Sequence, residues 1–262
     1  MIKSELLLDK VRSLTLHDIE TGKMFLRLTQ LEDSSLACTA EGEEITDAIG
    51  ALITTLYRAK KATFSATNSL FHTGLLAAQY GTKVETSTAE NKITDYTYEI
   101  LTIPTTGDDA GKITLTNTPK DAIKYIYSIA NGEVGTAYEA GTEVSATNFT
   151  VSGKVITVPT SLTGKVYVEY NYEAEAGKAI KISNKGSKFP EMCSAIIYAY
   201  FKDKCNDNVV YSGKIIAQKA KLNPEQIEVS LTSTGKHPFE LRFFKDYCDE
   251  ENDELFAVIV SE

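Results

Sequence analysis

The chain has 262 residues, 42% of them hydrophobic and 24% charged, enough apolar material for one large core or two modest ones and too much for wholesale disorder. Its formal net charge of −9 argues against a surface built to clamp nucleic-acid phosphates, which needs a basic stripe. Four scattered cysteines, Cys38, Cys193, Cys205 and Cys248, form no CxxC pair, and only three histidines are present, so the cysteines read as structural free thiols and not as zinc ligands.

The first apolar run, Leu6 to Leu8, is far shorter than a signal-peptide core or a membrane span, so a soluble protein made in the cytoplasm, with no membrane partner, is expected. From Lys10 onward, "VRSLTLHDIETGKMFLRLTQ" alternates apolar and polar residues on both sides of "ETGK", which predicts a β-hairpin with Gly22 in the turn. Leu31–Tyr57, "LEDSSLACTAEGEEITDAIGALITTLY", is rich in acidic and small residues and punctuated by Gly42 and Gly50. It reads as a long connection, and connections of that length inside a compact fold usually carry function.

Strand-like alternation returns in "AKKATFSA", with Ala62, Phe64 and Ala66 on one face. A short helix is expected next, capped by Asn68 or Ser69, with Leu70, Phe71, Leu75, Leu76 and Tyr80 recurring at helical spacing and Gly81 as a left-handed terminator. Its apolar stripe would brace a sheet.

Residues 100–176 change character. Short segments rich in Thr, Val, Ile and Tyr alternate with Gly, Asn, Asp and Pro turns, the pattern of a small immunoglobulin-like β-sandwich inserted in one loop of a discontinuous host domain, residues 1–99 and 177–262. "TVSGKVITV" and "LTGKVYVEYNY" are its clearest hairpin halves. Beyond Gly177, strands are expected in "KAIKISN", "MCSAIIYAYFKD", "YSGKIIAQKAKL", "QIEVSLTS", "FELRFFKDY" and "LFAVIVSE". Phe239, Leu241 and Phe243 share one face, as do Phe256, Val258 and Val260, and these strands should close the sheet begun near Lys10.

Chemistry finds little purchase. The chain has no GxGxxG, no GxxxxGK[ST], no GxSxG and no HExxH, so neither an enzyme nor a cofactor is expected. "STGKHPF" ends like a phosphate loop, but Ser230 stands where the first glycine belongs and Pro238 would stop the helix, so a turn between strands is the better reading, with His237 a turn residue. Arg58, Lys60 and Lys61 fall on opposite strand faces and make no coherent patch. "YCDEENDELF" lacks the spacing of a calcium loop and reads as a charged hairpin turn. The acidic run "EGEEITD" is either a solvated loop or a subunit-contact or channel-facing surface.

"EGEEITDAIGALITTLYRAKKATFSATNSLF", "GLLAAQYGTK" and "GKIIAQKAKLNPEQIEVSLTSTGKHPFELRFF…LFAVIV" together resemble the major tail tube proteins of tailed bacteriophages, above all contractile-tailed ones, over roughly residues 10–97 and 177–262. The resemblance implies a β-sandwich or barrel with a flanking helix, hexameric rings closed by inter-subunit sheet pairing, and stacking of rings into a tube. It makes Ile45, Ile49, Leu52, Ile53 and Leu56 candidates for ring stacking, and Glu41, Glu43, Glu44 and Asp47 candidates for negative charge toward passing DNA. The implied partners are further copies of the chain, the tail sheath, the tape-measure and tail-tip or terminator proteins, and DNA in transit, all in a virion tail assembled in the host cytoplasm. A neck, baseplate or decoration protein, the inner tube of a related injection machine, and a surface binding module remain alternatives.

Overall fold

The computed structural model describes residues 5–225, 227–229, 235–247 and 253–261, and it is mainly β. In chain order the first elements are β1 (Leu6–Asp18), β2 (Met24–Leu28), β3 (Leu31–Thr46), β4 (Leu52–Asn68) and α1 (Thr73–Gln79). There follow β5 (Glu85–Thr86), β6 (Thr94–Thr102), β7 (Lys112–Thr114), β8 (Tyr125–Ala130), β9 (Glu133–Ala140), β10 (Asn148–Ser152), β11 (Val155–Thr157), β12 (Lys165–Glu173) and β13 (Ile180–Lys181). The last strands are β14 (Cys193–Asp203), β15 (Asn206–Leu222), β16 (His237–Phe244) and β17 (Ala257–Ser261). Two compact units result, Met1–Val84 with Ile182–Glu262, and Glu85–Lys181.

The first unit is a sheet in the order β2-β1-β14-β15-β16-β4-β3, with β17 joined to β15, and it curls into a nearly closed barrel. Its first hairpin forms as the alternation predicts, Leu14 opposite Leu28 and Leu16 opposite Leu26, with Gly22 at φ +67° in the turn. Such a φ is open to glycine without steric penalty. The returning strands close on β1 through β14, from Leu6↔Asp203 to Asp18↔Cys193. In β16, His237, Phe239, Leu241 and Phe243 alternate inward onto Leu14, Leu16, Phe64 and Ile197, and Phe64 and Phe239 lie 6.3 Å apart. Cys193 is part of this core. Its thiol donates to the Ala220 carbonyl at 3.3 Å, and burial pushes it up to about 12, so it is an inert structural thiol.

Several expectations need correction. Leu31–Tyr57 is not a loop: it forms β3, a tight turn and the first part of β4. Alternation failed to reveal it because both faces of the distal ladder are exposed, so no side needed to be consistently apolar. The helix starts later than its expected caps. Asn68 is still in β4 and donates to the Leu70 carbonyl at 2.6 Å, while the Ser69 N–H extends the ladder to Gln30 O at 2.8 Å. His72, extended at φ −122°, caps instead, its Nδ1 accepting from Leu75 N–H at 3.2 Å. Leu70 and Phe71 therefore precede the helix and are exposed, Leu76 and Tyr80 are half-buried, and of the five only Leu75 enters the core.

Gly81 ends the helix as expected, at φ +65°, with Gly81 N–H to Ala78 O and Thr82 N–H to Ala77 O. A Cβ there would also run into the backbone of Phe189. His237 lies not in a turn but at the start of β16, fully buried opposite Asn68. Of Phe256, Val258 and Val260, Phe256 packs on the barrel core with its ring 5.7 Å from that of Phe243, while Val258 is exposed on β17, which pairs with β15 alone among the described residues. Of "KAIKISN" only Ile180–Lys181 is strand, and the described residues of "QIEVSLTS", 227–229, are not. Ser233 and Thr234 of "STGKHPF", Cys248, and Asp249 to Asn252 of the charged segment lie outside the described residues.

The second unit holds a sheet in the order β6-β12-β8-β9-β10-β11-β7 around Leu115, Ile126, Phe149, Ile156, Val166 and Val168. All pairs are antiparallel except β9 with β10, where Asn148 faces Glu139. The β10–β11 hairpin turns at Gly153, φ +59°, where "TVSGKVITV" placed it. At one end β5 pairs with β13. Buried Ser87 clasps that end, its hydroxyl donating to Glu175 O at 2.7 Å and accepting from Ala179 N–H at 3.1 Å.

Candidate functional site

The acidic and small residues of the Leu31–Tyr57 segment lie on one device, a long two-stranded arm. β16 accompanies β4 from Asn68 only as far as Ala62, which pairs with Phe243. β3 and β4 continue together past that point, from Thr39↔Lys61 to Thr46↔Leu52. A bulge marks the departure: Thr39 faces Lys61 but Glu41 faces Arg58, so one extra residue sits on β4, and Ala59 there takes φ +49°. Such a bulge bends a ribbon and sharpens its twist.

The tip is closed by its own chemistry. Asp47 Oδ1 accepts from Ile49 N–H at 3.0 Å and Ala51 N–H at 2.8 Å, and Gly50 supplies the left-handed residue at φ +85°. A hairpin loop of this length needs such a residue. Asp47 thus builds the turn.

Cross-strand partners share a face, so Glu41 with Arg58, Glu43 with Leu56, and Ile45 with Thr54 lie on one side. Gly42 with Tyr57 and Glu44 with Thr55 lie on the other. Arg58 reaches Glu43 at 3.3 Å and Lys61 reaches Glu41 at 2.7 Å. The Lys61 ammonium holds the Glu41 carboxyl below its usual range by hydrogen bond and by charge. Two of the four arm acids are therefore already countered. Arg58, Lys60 and Lys61 bring the arm, residues 39–61, to four acids against three bases.

The apolar residues of the arm have no covering partner among the described residues. Ile49 is 89% exposed, and Ile45, Leu52, Ile53 and Leu56 are exposed with it. Tyr57, absent from the expected set, is 74% exposed and lies over Gly42, whose missing side chain leaves it room. Apolar residues exposed on both faces of a ribbon with no third layer among the described residues, Ile45 and Leu56 on one face and Tyr57 on the other, mark an interaction site.

A second exposed apolar group was also missed, Leu7 and Leu8 of β1 with Val209 and Val210 of β15, at the end of the barrel where the β14–β15 hairpin turns. "NDNVVYSGK" held the signal, two adjacent valines after a polar turn.

Among the buried polar residues of the first unit, His237 sits at the centre of a side-chain network. Its Nε2 is 2.6 Å from Gln79 Oε1, Gln79 Nε2 donates to Pro238 O at 3.3 Å, and Phe71 stacks on the ring at 6.0 Å. Burial, helped by nearby His72, pushes its pKa down to about 4, so the ring is neutral at physiological pH. This is a structural clamp between β16 and α1. Among the described residues no three His, Cys, Asp or Glu side chains are grouped to hold a metal, and no helix is long and apolar enough to cross a membrane.

No curated protein matches the chain. A family model, described as the YomU/Tube protein family, matches residues 6–258, from the first strand of the barrel through the second unit to the last strand. With a barrel whose longest hairpin carries an uncovered apolar ribbon, the chain belongs to the YomU/Tube protein family and is a phage tube-like protein, a component of the virion.

Proposed function

We propose that the chain is the repeating subunit of a phage tail tube, with a structural and not a catalytic role. Six copies close a ring by pairing sheet edges between neighbours, and rings stack into a hollow conduit for the genome and the tape-measure protein. The observation that carries this reading is the distal β3–β4 arm, whose Ile45, Ile49, Leu52, Ile53, Leu56 and Tyr57 are exposed and uncovered by any described residue. A solitary soluble protein would be selected against such a ribbon, whereas one that assembles covers it. Ring closure also removes free strand edges without the usual blunting devices.

In this reading the arm reaches an adjacent subunit or ring, and the second unit is an immunoglobulin-like module carried by the tube. Tail sheath, terminator and tail-tip proteins are the further partners, assembly takes place in the host cytoplasm, and the negative net charge keeps DNA moving and unbound.

Negative-stain electron microscopy of the purified chain at rising concentration tests the reading, with a tail-tip seed added where nucleation is slow. Stacked rings or hollow tubes with a six-fold end view are expected, and Ile49→Asp with Leu52→Asp should abolish stacking. A chain that stays monomeric with the seed present, or tubes unaffected by both substitutions, would overturn it. Closed objects of fixed short length would favour a baseplate or neck role.

A further inference from the structure

The second unit carries a surface to which the tube reading gives no role. Along β12, Val166, Val168 and Tyr170 fill the core, so Tyr167, Glu169 and Asn171 point to the opposite face. Register places Ile100 opposite Tyr167, Tyr98 opposite Glu169 and Tyr96 opposite Asn171 on β6, and Tyr127 opposite Tyr167 on β8. With Tyr125 two residues further along β8, five of the chain's fourteen tyrosines stand on one solvent face. Tyr96 is 73% exposed and Tyr98 63%. Tyrosine is at home in strands and paired rings stabilise a sheet, but five on one face, two of them more than 60% exposed, leave more aromatic surface in water than that pairing uses.

The rings are held in place. Tyr98 and Tyr167 are nearly parallel, 20° between planes and 5.4 Å between centroids, and Tyr127 meets Tyr167 edge-on at 6.2 Å. Beside them lies an open cleft of about 280 Å³, bounded by Tyr96, Tyr125, Tyr127, Glu169, Asn171 and Asp121. Its polar wall is pre-set: Asn171 Nδ2 donates to Asp121 Oδ2 at 2.6 Å and Asn171 Oδ1 accepts from Asp121 N–H at 3.1 Å.

We infer that this face binds carbohydrate, an uncharged pyranose polysaccharide lying along β6 and β12 with one residue in the cleft. The C–H faces of a pyranose carry partial positive charge and stack on the negative face of an aromatic ring, while its hydroxyls need the acceptors and donors that Glu169, Asn171 and the phenols present. Tyr96 and Tyr98 repeat at about 6.8 Å along the strand, a row of platforms suited to a polymer. Rings fixed in advance lose little entropy on binding.

Charge selects against the other ligands of aromatic faces. The unit holds thirteen carboxylates and eight lysines, so the phosphates of a stacked nucleic acid are repelled. A basic peptide would need free carboxylates. Yet Asp121 is engaged by Asn171, and Glu173 by Lys92 at 2.9 Å and Lys120 at 3.7 Å, which leaves Glu169 nearly alone on the face.

The chain has no tryptophan, so tyrosine fluorescence is read without a tryptophan background; five of its fourteen tyrosines lie on this face, and the variants below assign the signal to it. The full chain is titrated with cellohexaose, chitohexaose and maltohexaose, and with a hexa-arginine peptide. At least one sugar should give a saturable change with a Kd of about 0.1–1 mM. Tyr98→Ala should weaken it about tenfold, while Tyr98→Phe, which keeps the ring, should hold it within about threefold. Glu169→Gln provides a second variant where Tyr98→Ala disturbs the fold by circular dichroism, and should weaken the same sugar. Saturation by none of the three sugars, binding of hexa-arginine alone, or sugar binding unchanged in both Tyr98→Ala and Glu169→Gln would overturn the inference. Tube assembly should be intact in every variant, so failure here leaves the assembly reading untouched.

Discussion

The two halves of β4 share a strand and a hydrogen-bonded partner, β3, and differ in everything else. From Ala62 to Asn68, alternate side chains are buried, β16 lies on the other edge, and Phe64 is packed in the barrel core. From Leu52 to Lys61 no residue is buried and no third strand is present among the described residues. Pairing with β3, interrupted only by bulges, runs through both halves, so pairing alone does not decide which half is stable in water; burial does. The distal half keeps a high apolar content where the monomer gains nothing from it, and that mismatch points to a use outside the monomer.

The sharpest way to break the comparison is to damage each half in the same chain. Phe64→Ala opens a cavity in the barrel and should cost about 3–5 kcal/mol of stability, read as a large drop in the thermal midpoint. Leu52→Asp in the distal half should leave the monomer's midpoint nearly unchanged while preventing higher-order assembly in sedimentation runs. Equal destabilisation by both would mean that the arm is part of the monomer's own core. Gly81→Ala should fall close to Phe64→Ala, because strain at φ +65° adds to a collision with the Phe189 backbone.

The same contrast explains what could be read from the residues. The β1–β2 hairpin, β16 and the β10–β11 hairpin have one face on a core, and their alternation, with glycines at Gly22 and Gly153, was visible. The arm reads as a loop in the sequence because it has no inward face, and alternation records burial, not pairing. Its apolar residues could still be picked out, since Ile49 and Leu52 make sense in neither a solvated loop nor a core. Tyr57 escaped because its neighbour in space, Gly42, is fifteen positions away in sequence. His237 reads as a turn residue for a similar reason: its partner Gln79 comes from a helix far off in the chain, and no local spacing signals it.

His237 sharpens the comparison through pH, since it titrates only the barrel. Its folded pKa of about 4 lies below the ordinary 6.5, so between those values the unfolded chain binds the extra proton. Stability is therefore complete above pH 6.5 and falls as pH drops toward 4, by at most about 3 kcal/mol from this one group. Thermal midpoints of the native chain and of His237→Gln at pH 7 and pH 4.5 would isolate it. The variant starts lower but should lose less on acidification, and parallel losses would remove His237 as the cause. Arm-dependent assembly should not follow this profile.

The smallest effects belong to the arm acids, and they separate charge from shape. Glu41 and Glu43 face Lys61 and Arg58, fully exposed pairs that salt screens readily, so Glu41→Gln should leave the unfolding midpoint unmoved. It should also leave DNA delivery unmoved, because the carboxylate it removes was already countered. Glu44 stands opposite Thr55 with no ion pair among the described residues, and Asp47 is committed to the turn. If the arm presents charge to passing DNA, that charge is Glu44, and Glu44→Lys should slow ejection from assembled tails while Glu41→Gln does not. Equal ejection rates in the two variants would show that the arm works by its apolar residues alone and that any repulsion of DNA comes from other parts of the chain.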